Sequence, residues 1–111
     1  MGAAVTEVPG AARSMEAYGL DESEAALYFH LSRLGPSRAA ELARAAGRKR
    51  GDAYRVLDRL VAKGFAKKSL ERPARYLPEP VEVALERAVE QERERLGRLD
   101  AQRAAVASSW P

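Results

Sequence analysis

The chain has 111 residues, enough for one compact domain with a short appended element and too few for a second catalytic or effector domain. It contains no cysteine and one histidine, which excludes disulfides, thiolate zinc sites and multi-histidine metal sites. The formal net charge is +3 and no stretch approaches the roughly 20 apolar residues of a membrane helix, so we expect a cytoplasmic protein without membrane, metal or cofactor partners.

The first part of the chain predicts a flexible arm followed by a helix. Residues 1–17 are small, contain Gly and Pro and lack helical or strand periodicity, so we expect a flexible N-terminal arm. The run DESE at residues 21–24 has the pattern of a capping box with its aspartate as the N-cap. Apolar residues then recur at helical spacing until Gly35 and Pro36 end the helix. His30, in mid-helix, is interpreted as an ordinary, partly buried residue.

Two further helices are predicted before a turn signal at Gly64. Ser37 is the expected N-cap of a helix of about ten residues, and Gly47 offers a left-handed stop after it. The next helix runs from near Arg50 to Lys63, with its apolar residues in one stripe. Its outward face carries Asp52, Arg55, Asp58 and Arg59.

A basic hairpin and a long helix complete the pattern. Residues 65–70 and 74–77 read as two short strands around the turn at residues 71–73. Residues 81–106 have no proline and are rich in Ala, Glu, Arg and Leu, which predicts one long helix.

The order of helix, helix, helix, hairpin and long helix is typical of a winged helix-turn-helix followed by a dimerisation helix. We therefore expect a mainly α fold with a small β-hairpin. The expected organisation is the arm at residues 1–17, a winged-helix DNA-binding domain at 18–78 and the long, coiled-coil-like helix at 79–111.

Positive charge is concentrated in the middle of the chain. Residues 36–77 hold 12 Lys or Arg against 4 acidic residues, a net charge of +8, while the remainder carries −5. A basic segment between acidic flanks is typical of a surface that binds a polyanion. A generic solvated basic surface is the alternative, and the charge alone does not separate the two.

In a helix-turn-helix the second helix of the pair presents its first residues to base edges in the major groove. Here Arg50 and Arg55 could each donate two hydrogen bonds to guanine, and Asp52 could accept one from a cytosine amino group. Arg59 lies one turn further and fits a backbone contact. Tyr54 is expected to pack in the core, with a hydroxyl contact to phosphate as the alternative.

The hairpin carries four cations, with Arg72 expected at its tip. They could follow phosphates or enter the minor groove, or simply protect the hairpin edge from aggregation. Charge clustering beside the helix-turn-helix favours nucleic acid. The complete set of candidate DNA-binding residues is Ser37, Arg38, Arg48, Lys49, Arg50, Gly51, Asp52, Tyr54, Arg55, Arg59, Lys67, Lys68, Arg72 and Arg75.

The long helix carries a coiled-coil seam, in which steps of four and three residues alternate. The seam residues are Leu85, Val89, Glu92, Leu96, Leu99, Arg103, Val106 and Trp110. Their partner is either the chain's own winged helix or a second copy, and a helix of about 39 Å outreaches so small a domain. A homodimer would place two recognition helices on a pseudo-palindromic DNA site. Glu92 and Arg103 could pair across an antiparallel dimer, but the orientation of the two helices stays open.

Several spaced motifs together resemble the N-terminal domain of TrmB-type transcriptional regulators, which are mostly archaeal. They are LGP at residues 34–36, AELA at 40–43, Arg50 with YRVL at 54–57, Leu60, KGF at 63–65 and RPARY at 72–76. The resemblance covers about residues 18–100 and implies a winged helix, a recognition helix near residue 50 and a dimerisation helix. Arg48 and Lys49 replace the family's usual small hydrophobic residue and proline, and we expect no sugar-sensing domain.

The sequence thus predicts a regulator that binds specific double-stranded DNA as a homodimer. No nucleophile with a base, glycine-rich phosphate loop or metal-ligand cluster is present, so we do not expect an enzyme. The alternative is a winged helix of the transcription machinery whose basic surface meets an acidic protein.

Overall fold

The computed structural model describes residues 8–111, which are mainly helical with a small antiparallel sheet. In chain order the elements are a 3-10 helix Gly10–Tyr18, α1 Glu22–Leu34, β1 Ser37–Arg38, α2 Ala39–Ala46, α3 Arg50–Ala62, β2 Ala66–Lys68, β3 Arg75–Pro78 and α4 Val81–Ser109. The expected fold class, a winged helix with a long C-terminal helix, is confirmed. None of the helices in this range is both long and apolar enough to span a membrane.

The N-terminal 3-10 helix replaces part of the expected flexible arm. Ala12 and Met15 lie half-buried against the core, and the helix packs on α1. Residues three apart share one face of a 3-10 helix, which lets these two side chains pack together. The flexible arm is therefore wrong for residues 10–17, and its first seven residues lie outside the described part.

The core fills the space between α1, α2, α3 and the sheet. Its wholly buried aliphatic side chains come from all three helices, which confirms the helical stripes predicted for them. Phe65 packs edge-on against Tyr28 with the ring centroids 5.2 Å apart. The largest wholly buried hydrophobic residues of the core are Leu20, Leu27, Leu31, Leu42, Leu57, Leu60, Phe65 and Tyr76.

The start of α2 differs from the expectation. Ser37 belongs to β1, which pairs with β3 and makes the hairpin a three-stranded sheet in the order β1-β3-β2. Its side chain is buried, and its hydroxyl donates to the carbonyl of Gly35 at 2.8 Å. The N-cap of α2 is Arg38, one residue after Ser37, and the helix itself begins at Ala39. The backbone N–H of Arg38 donates to the Glu41 carboxylate at 3.0 Å. The prediction of Ser37 as N-cap is therefore wrong, because strand pairing occupies this residue.

A buried carboxylate joins the start of α1 to the end of α3. Glu24 has no exposed side-chain surface and accepts the backbone N–H of Asp21 at 2.8 Å, completing the predicted capping box. The same carboxylate accepts Lys63 at 2.7 Å and Arg59 at 3.3 Å. Lys63 also donates to the carbonyl of Gly19 at 2.7 Å, just before α1.

His30 is more deeply buried than expected. It is 1% exposed, and its Nδ1 has no hydrogen-bond partner among residues 8–111. Burial lowers the pKa of His30 below its ordinary 6.5, and the positive charge of Arg33 lowers it further. The imidazole is therefore neutral in the folded protein near neutral pH.

The long helix leaves the core after its first turns. In α4, Ala84 is buried and Leu85 is half-buried against the core, whereas every residue after Val89 is exposed. The helix has 29 residues, three more at its C-terminal end than predicted. Its length of about 43 Å accounts for much of the molecule's longest dimension, 66 Å.

We expect Glu24→Gln to lower the free energy of unfolding by about 2 kcal/mol, because it removes the buried charge that two cations neutralise. The cost stays moderate since Arg59 and Lys63 are half-exposed and can regain water. Urea unfolding measures the change. Glu22→Gln, at an exposed position on the same turn, is the control and should shift the midpoint by a few tenths of a kcal/mol at most. Equal shifts for the two variants would contradict the role of Glu24.

The buried His30 makes stability depend on pH. Because its pKa is lower in the folded chain than in the unfolded chain, the unfolded chain binds more protons as the pH falls through 6.5. Stability should therefore decrease between pH 7.5 and 5.5, and His30→Leu should remove most of that slope. Thermal unfolding across this range measures it, and a wild type with a flat profile would show that His30 accepts its proton without cost.

Candidate nucleic-acid interface

The first turn of α3 presents cations to solvent. Lys49 precedes the helix and Arg50 is its first residue; both are exposed and neither forms an ion pair within residues 8–111. Free backbone N–H groups and the positive end of the helix dipole face the same side. Gly51 adds no side chain, and the space where a Cβ would stand is open. A phosphate or base edge can therefore reach this turn.

The next two candidate residues on α3, Asp52 and Arg55, pair with each other. Arg55 and Asp52 form an ion pair one turn apart, with 73% and 41% of their side chains exposed. Exposed pairs of this spacing contribute a few tenths of a kcal/mol, so the guanidinium can exchange its partner. Tyr54 is half-buried against the core, as the packing interpretation predicts.

Two predicted DNA-binding arginines have partners inside the fold. Arg48 is half-buried and donates to the hydroxyl of Ser23 at 2.8 Å, which links the turn before α3 to α1. Arg59 contacts Glu24, and its guanidinium lies 3.9 Å from the carboxylate of Asp21. Both side chains therefore help to hold α3 against α1.

The wing formed by β2 and β3 is anchored to α3 through Asp58. The hydroxyl of the buried Tyr76 donates to this carboxylate at 2.7 Å, and Lys68 lies 3.2 Å from it. The Lys68 ammonium also stands 5.5 Å from the centre of the Tyr76 ring. Burial first, and then the bond to Asp58, raise the pKa of Tyr76 far above 10, so its hydroxyl stays protonated. The wing and α3 are therefore held in a fixed relative position.

A second buried carboxylate, Glu79, joins the wing to α4. It is 6% exposed and lies 3.3 Å from Lys67 of β2 and 3.4 Å from Arg87 of α4. Its backbone N–H donates to Phe65 at 3.0 Å, and its carbonyl accepts the Tyr28 hydroxyl at 2.6 Å. The ammonium of Lys67 is thus partly neutralised by Glu79, although 71% of the lysine side chain is exposed.

The tip of the wing carries an unpaired arginine. Arg75 contacts Glu71 at 3.1 Å, and its backbone N–H donates to Ser69 at 2.9 Å. Arg72 is exposed in the turn between the two strands and has no ion pair within the described part. Leu70, two residues before it, is 99% exposed. The tip therefore offers a cation and an apolar side chain to whatever the wing meets.

Ten of the fourteen predicted site residues fall into three groups, and the other four, Arg48, Gly51, Tyr54 and Arg59, have the positions given above. Arg38, Lys49, Arg50 and Arg72 are exposed cations without an ion pair among residues 8–111. Asp52, Arg55, Lys67, Lys68 and Arg75 are accessible but paired, whereas Ser37 is buried and cannot offer its side chain to a ligand. Sequence reasoning missed the anchors Glu24, Asp58, Tyr76 and Glu79. Their signal was weak, since each depends on contacts between residues that are 18 to 51 positions apart.

Comparison with known proteins gives a family match and several structural matches. A family model described as "Sugar-specific transcriptional regulator TrmB" matches residues 15–82. TrmBL2, described as an archaeal chromatin protein with a novel mode of DNA binding, superposes with a TM-score of 0.78 at 27% identity. That match covers 87% of this chain and 39% of TrmBL2, so the chain spans less than half of that protein's length. No curated protein sequence gives a significant match.

More distant structures share the fold. The transcriptional regulator Tm0710 from Thermotoga maritima superposes with a TM-score of 0.57 at 15% identity, covering 89% of this chain and 85% of that one. A MarR family regulator from Silicibacter pomeroyi superposes with a TM-score of 0.56 at 20% identity, covering 86% and 72%. Both matches extend beyond the winged helix into α4, since they cover more of the chain than its first 80 residues.

Proposed function

Since the TrmB family model covers more than half of its residues, this chain belongs to the TrmB family of transcriptional regulators, and we propose that it binds specific sites on double-stranded DNA as a homodimer. It is a winged-helix regulator of transcription. The observation that carries the proposal is the group of unpaired, exposed cations at the start of α3. Lys49 and Arg50 extend from a helix end that already favours anions.

In the proposed complex α3 lies in the major groove with its first turn toward the bases. Arg50 donates two hydrogen bonds to a guanine, for which its planar guanidinium has the right spacing. Arg55 leaves its ion pair with Asp52 and donates hydrogen bonds to a neighbouring base. The carboxylate of Asp52 can then accept a hydrogen bond from a cytosine amino group. Arg38 and Lys49 contact phosphates on either side.

In the proposed complex the wing contacts the adjacent DNA backbone or minor groove. Arg72 at its tip contributes a cation that no carboxylate of the described part neutralises. Lys67 and Lys68 bind phosphates more weakly than free lysines would, because Glu79 and Asp58 already hold them. The wing therefore adds affinity while α3 supplies sequence preference.

The second copy is bound through α4. Beyond Leu85 its apolar seam residues are exposed, with Leu96, Leu99 and Trp110 at 65%, 52% and 78%. A row of large apolar side chains on one face of an exposed helix is typical of a protein interface. Two copies would carry two recognition helices to a pseudo-palindromic site.

Titration of labelled duplex at several salt concentrations tests DNA binding. Phosphate contacts should make the logarithm of the binding constant fall linearly with the logarithm of salt, and a selected site should compete about a thousandfold better than random duplex. Weak binding without preference would instead favour an interaction module for an acidic protein.

We expect Arg50→Ala and Arg72→Ala to affect DNA binding differently. Arg50→Ala should cost about 1–3 kcal/mol on the preferred site and flatten discrimination at one base pair. Arg72→Ala should weaken all duplexes alike and make the salt slope shallower by about one unit. Fluorescence anisotropy with specific and random duplex at three salt concentrations measures both. Equal losses on the two duplexes for Arg50→Ala would reduce this residue to a phosphate contact.

We expect Leu96→Glu with Leu99→Glu to give a monomer whose winged helix is still folded, because both side chains lie on the exposed part of α4. Operator binding should weaken strongly, since two half-sites are no longer bound together. Sedimentation and circular dichroism measure the state and the fold. Ala101→Glu with Ala105→Glu, which adds the same charge off the seam, should remain dimeric. A wild type that is monomeric at tens of micromolar would refute the homodimer.

A further inference from the structure

The seam residues of α4 are spaced symmetrically about the middle of the seam. Around a midpoint between Gly97 and Arg98, leucines lie at 96 and 99, and valines lie at 89 and 106. Between these apolar pairs Glu92 and Arg103 occupy equivalent positions with opposite charge. Leu85 and Trp110 form the outermost pair. A helix with this symmetry is complementary to a second copy of itself that runs in the opposite direction.

We infer that two copies pair through α4 as an antiparallel coiled coil, with the two-fold axis beside Gly97 and Arg98. In this register Glu92 meets Arg103 of the partner subunit, twice per dimer. This inference rests on the homodimer of the proposed function and adds the direction and the register.

Charge decides between the two directions. In a parallel pair in register, each seam residue meets its own copy, so Glu92 would face a second glutamate and Arg103 a second arginine. Two like-charged layers in an interface are unfavourable, whereas the antiparallel register converts both into ion pairs. The apolar layers do not oppose this choice, because leucine meets leucine and valine meets valine.

The contacts within one chain leave these charges available. Glu92 contacts Arg95 at 3.1 Å, and Arg103 contacts Asp100 at 3.3 Å. All four side chains are more than half exposed, so water screens each pair and neither pair holds its charges in place. A carboxylate accepts several donors, which lets Glu92 keep Arg95 while it binds the guanidinium of the second copy.

The apolar residues of the same face are also exposed within the chain. Leu96, Leu99, Val106 and Trp110 line one shallow groove together with Arg103. Val89, Leu96, Leu99 and Val106 are 40%, 65%, 52% and 54% exposed. In the antiparallel register Trp110 lies against Leu85 of the partner subunit, at the base of its winged helix, and loses most of its 78% exposure.

The direction determines how far apart the winged helices stand. Residues 85–110 overlap over about 39 Å, and the two α4 helices begin about 50 Å apart at 1.5 Å per residue. A parallel pair would begin only about 10 Å apart, the distance between packed helix axes. One turn of DNA is about 34–36 Å, so the antiparallel dimer suits half-sites separated by more than one turn.

Introduced cysteines test the direction, because the chain has none of its own. In the antiparallel dimer the two copies of Val89 are about 25 Å apart along the axis, too far for a disulfide, which needs Cα atoms within about 7 Å. Val89→Cys should therefore stay uncrosslinked under oxidised glutathione. Val89→Cys with Val106→Cys should give a covalent dimer. Glu90→Cys with Ala105→Cys, on the outward face, is the matched control and should not crosslink.

Reversal of the seam charges tests the register. Glu92→Arg and Arg103→Glu should each raise the dimer dissociation constant about tenfold or more, and the double variant should return to near the wild-type value. Glu90→Arg is the control: it breaks an ion pair of the same spacing, with Arg93, that lies away from the seam, and it should change the dimer dissociation constant little. Sedimentation equilibrium measures all four.

The outcomes separate this inference from the proposed function. A dimeric wild type in which Val89→Cys alone crosslinks, or in which the double charge reversal does not recover, would overturn the antiparallel register and leave the homodimer standing. A monomeric wild type would remove the homodimer itself, and the inference with it.

Discussion

The buried carboxylate of Glu24 is the constraint on which the position of α3 depends. A carboxylate without solvent contact must be matched by donors, and here they come from the start of α1 and the end of α3. Arg59 and Lys63 lie four residues apart and therefore share one face of α3. Their contacts hold the C-terminal end of the helix against α1. The opposite end, about 18 Å away, keeps its cations free for a ligand.

This division explains why the cations in α3 and in the turn before it differ in what they can bind. Arg48 and Arg59 have partners on α1, whereas Lys49 and Arg50 have none in the described part. The +8 charge of residues 36–77 is therefore larger than the charge that the surface offers to an anion. Asp58 reduces it again at the wing, where it holds Lys68 and Tyr76. Within the described part, five exposed cations of this segment have no ion pair: Arg38 and Arg44 near α2, Lys49 and Arg50 at the start of α3, and Arg72 at the wing tip.

Most of the fold could be predicted from local signals, and the interactions between elements could not. The helices follow from apolar spacing, the capping box at Asp21 and the left-handed stop at Gly47. β1 has two residues and no alternation, so nothing distinguished it from a cap at Ser37. For the site, charge clustering identified Arg50 and Arg72 as exposed cations. It could not reveal which cations are neutralised, because Lys67 and Glu79 become neighbours only when the chain is folded.

The junction at Glu79 shows that α4 is not a loosely attached arm. A boundary between independent units is expected in an exposed linker with few contacts. Glu79 is instead buried, its backbone bonds to Phe65 and Tyr28, and its carboxylate is shared by Lys67 of the wing and Arg87 of α4. The first turns of α4 belong to the same core, since Ala84 is buried there. The direction of α4 relative to α3 is therefore set within one chain, and a partner bound along α4 would have a defined position relative to α3.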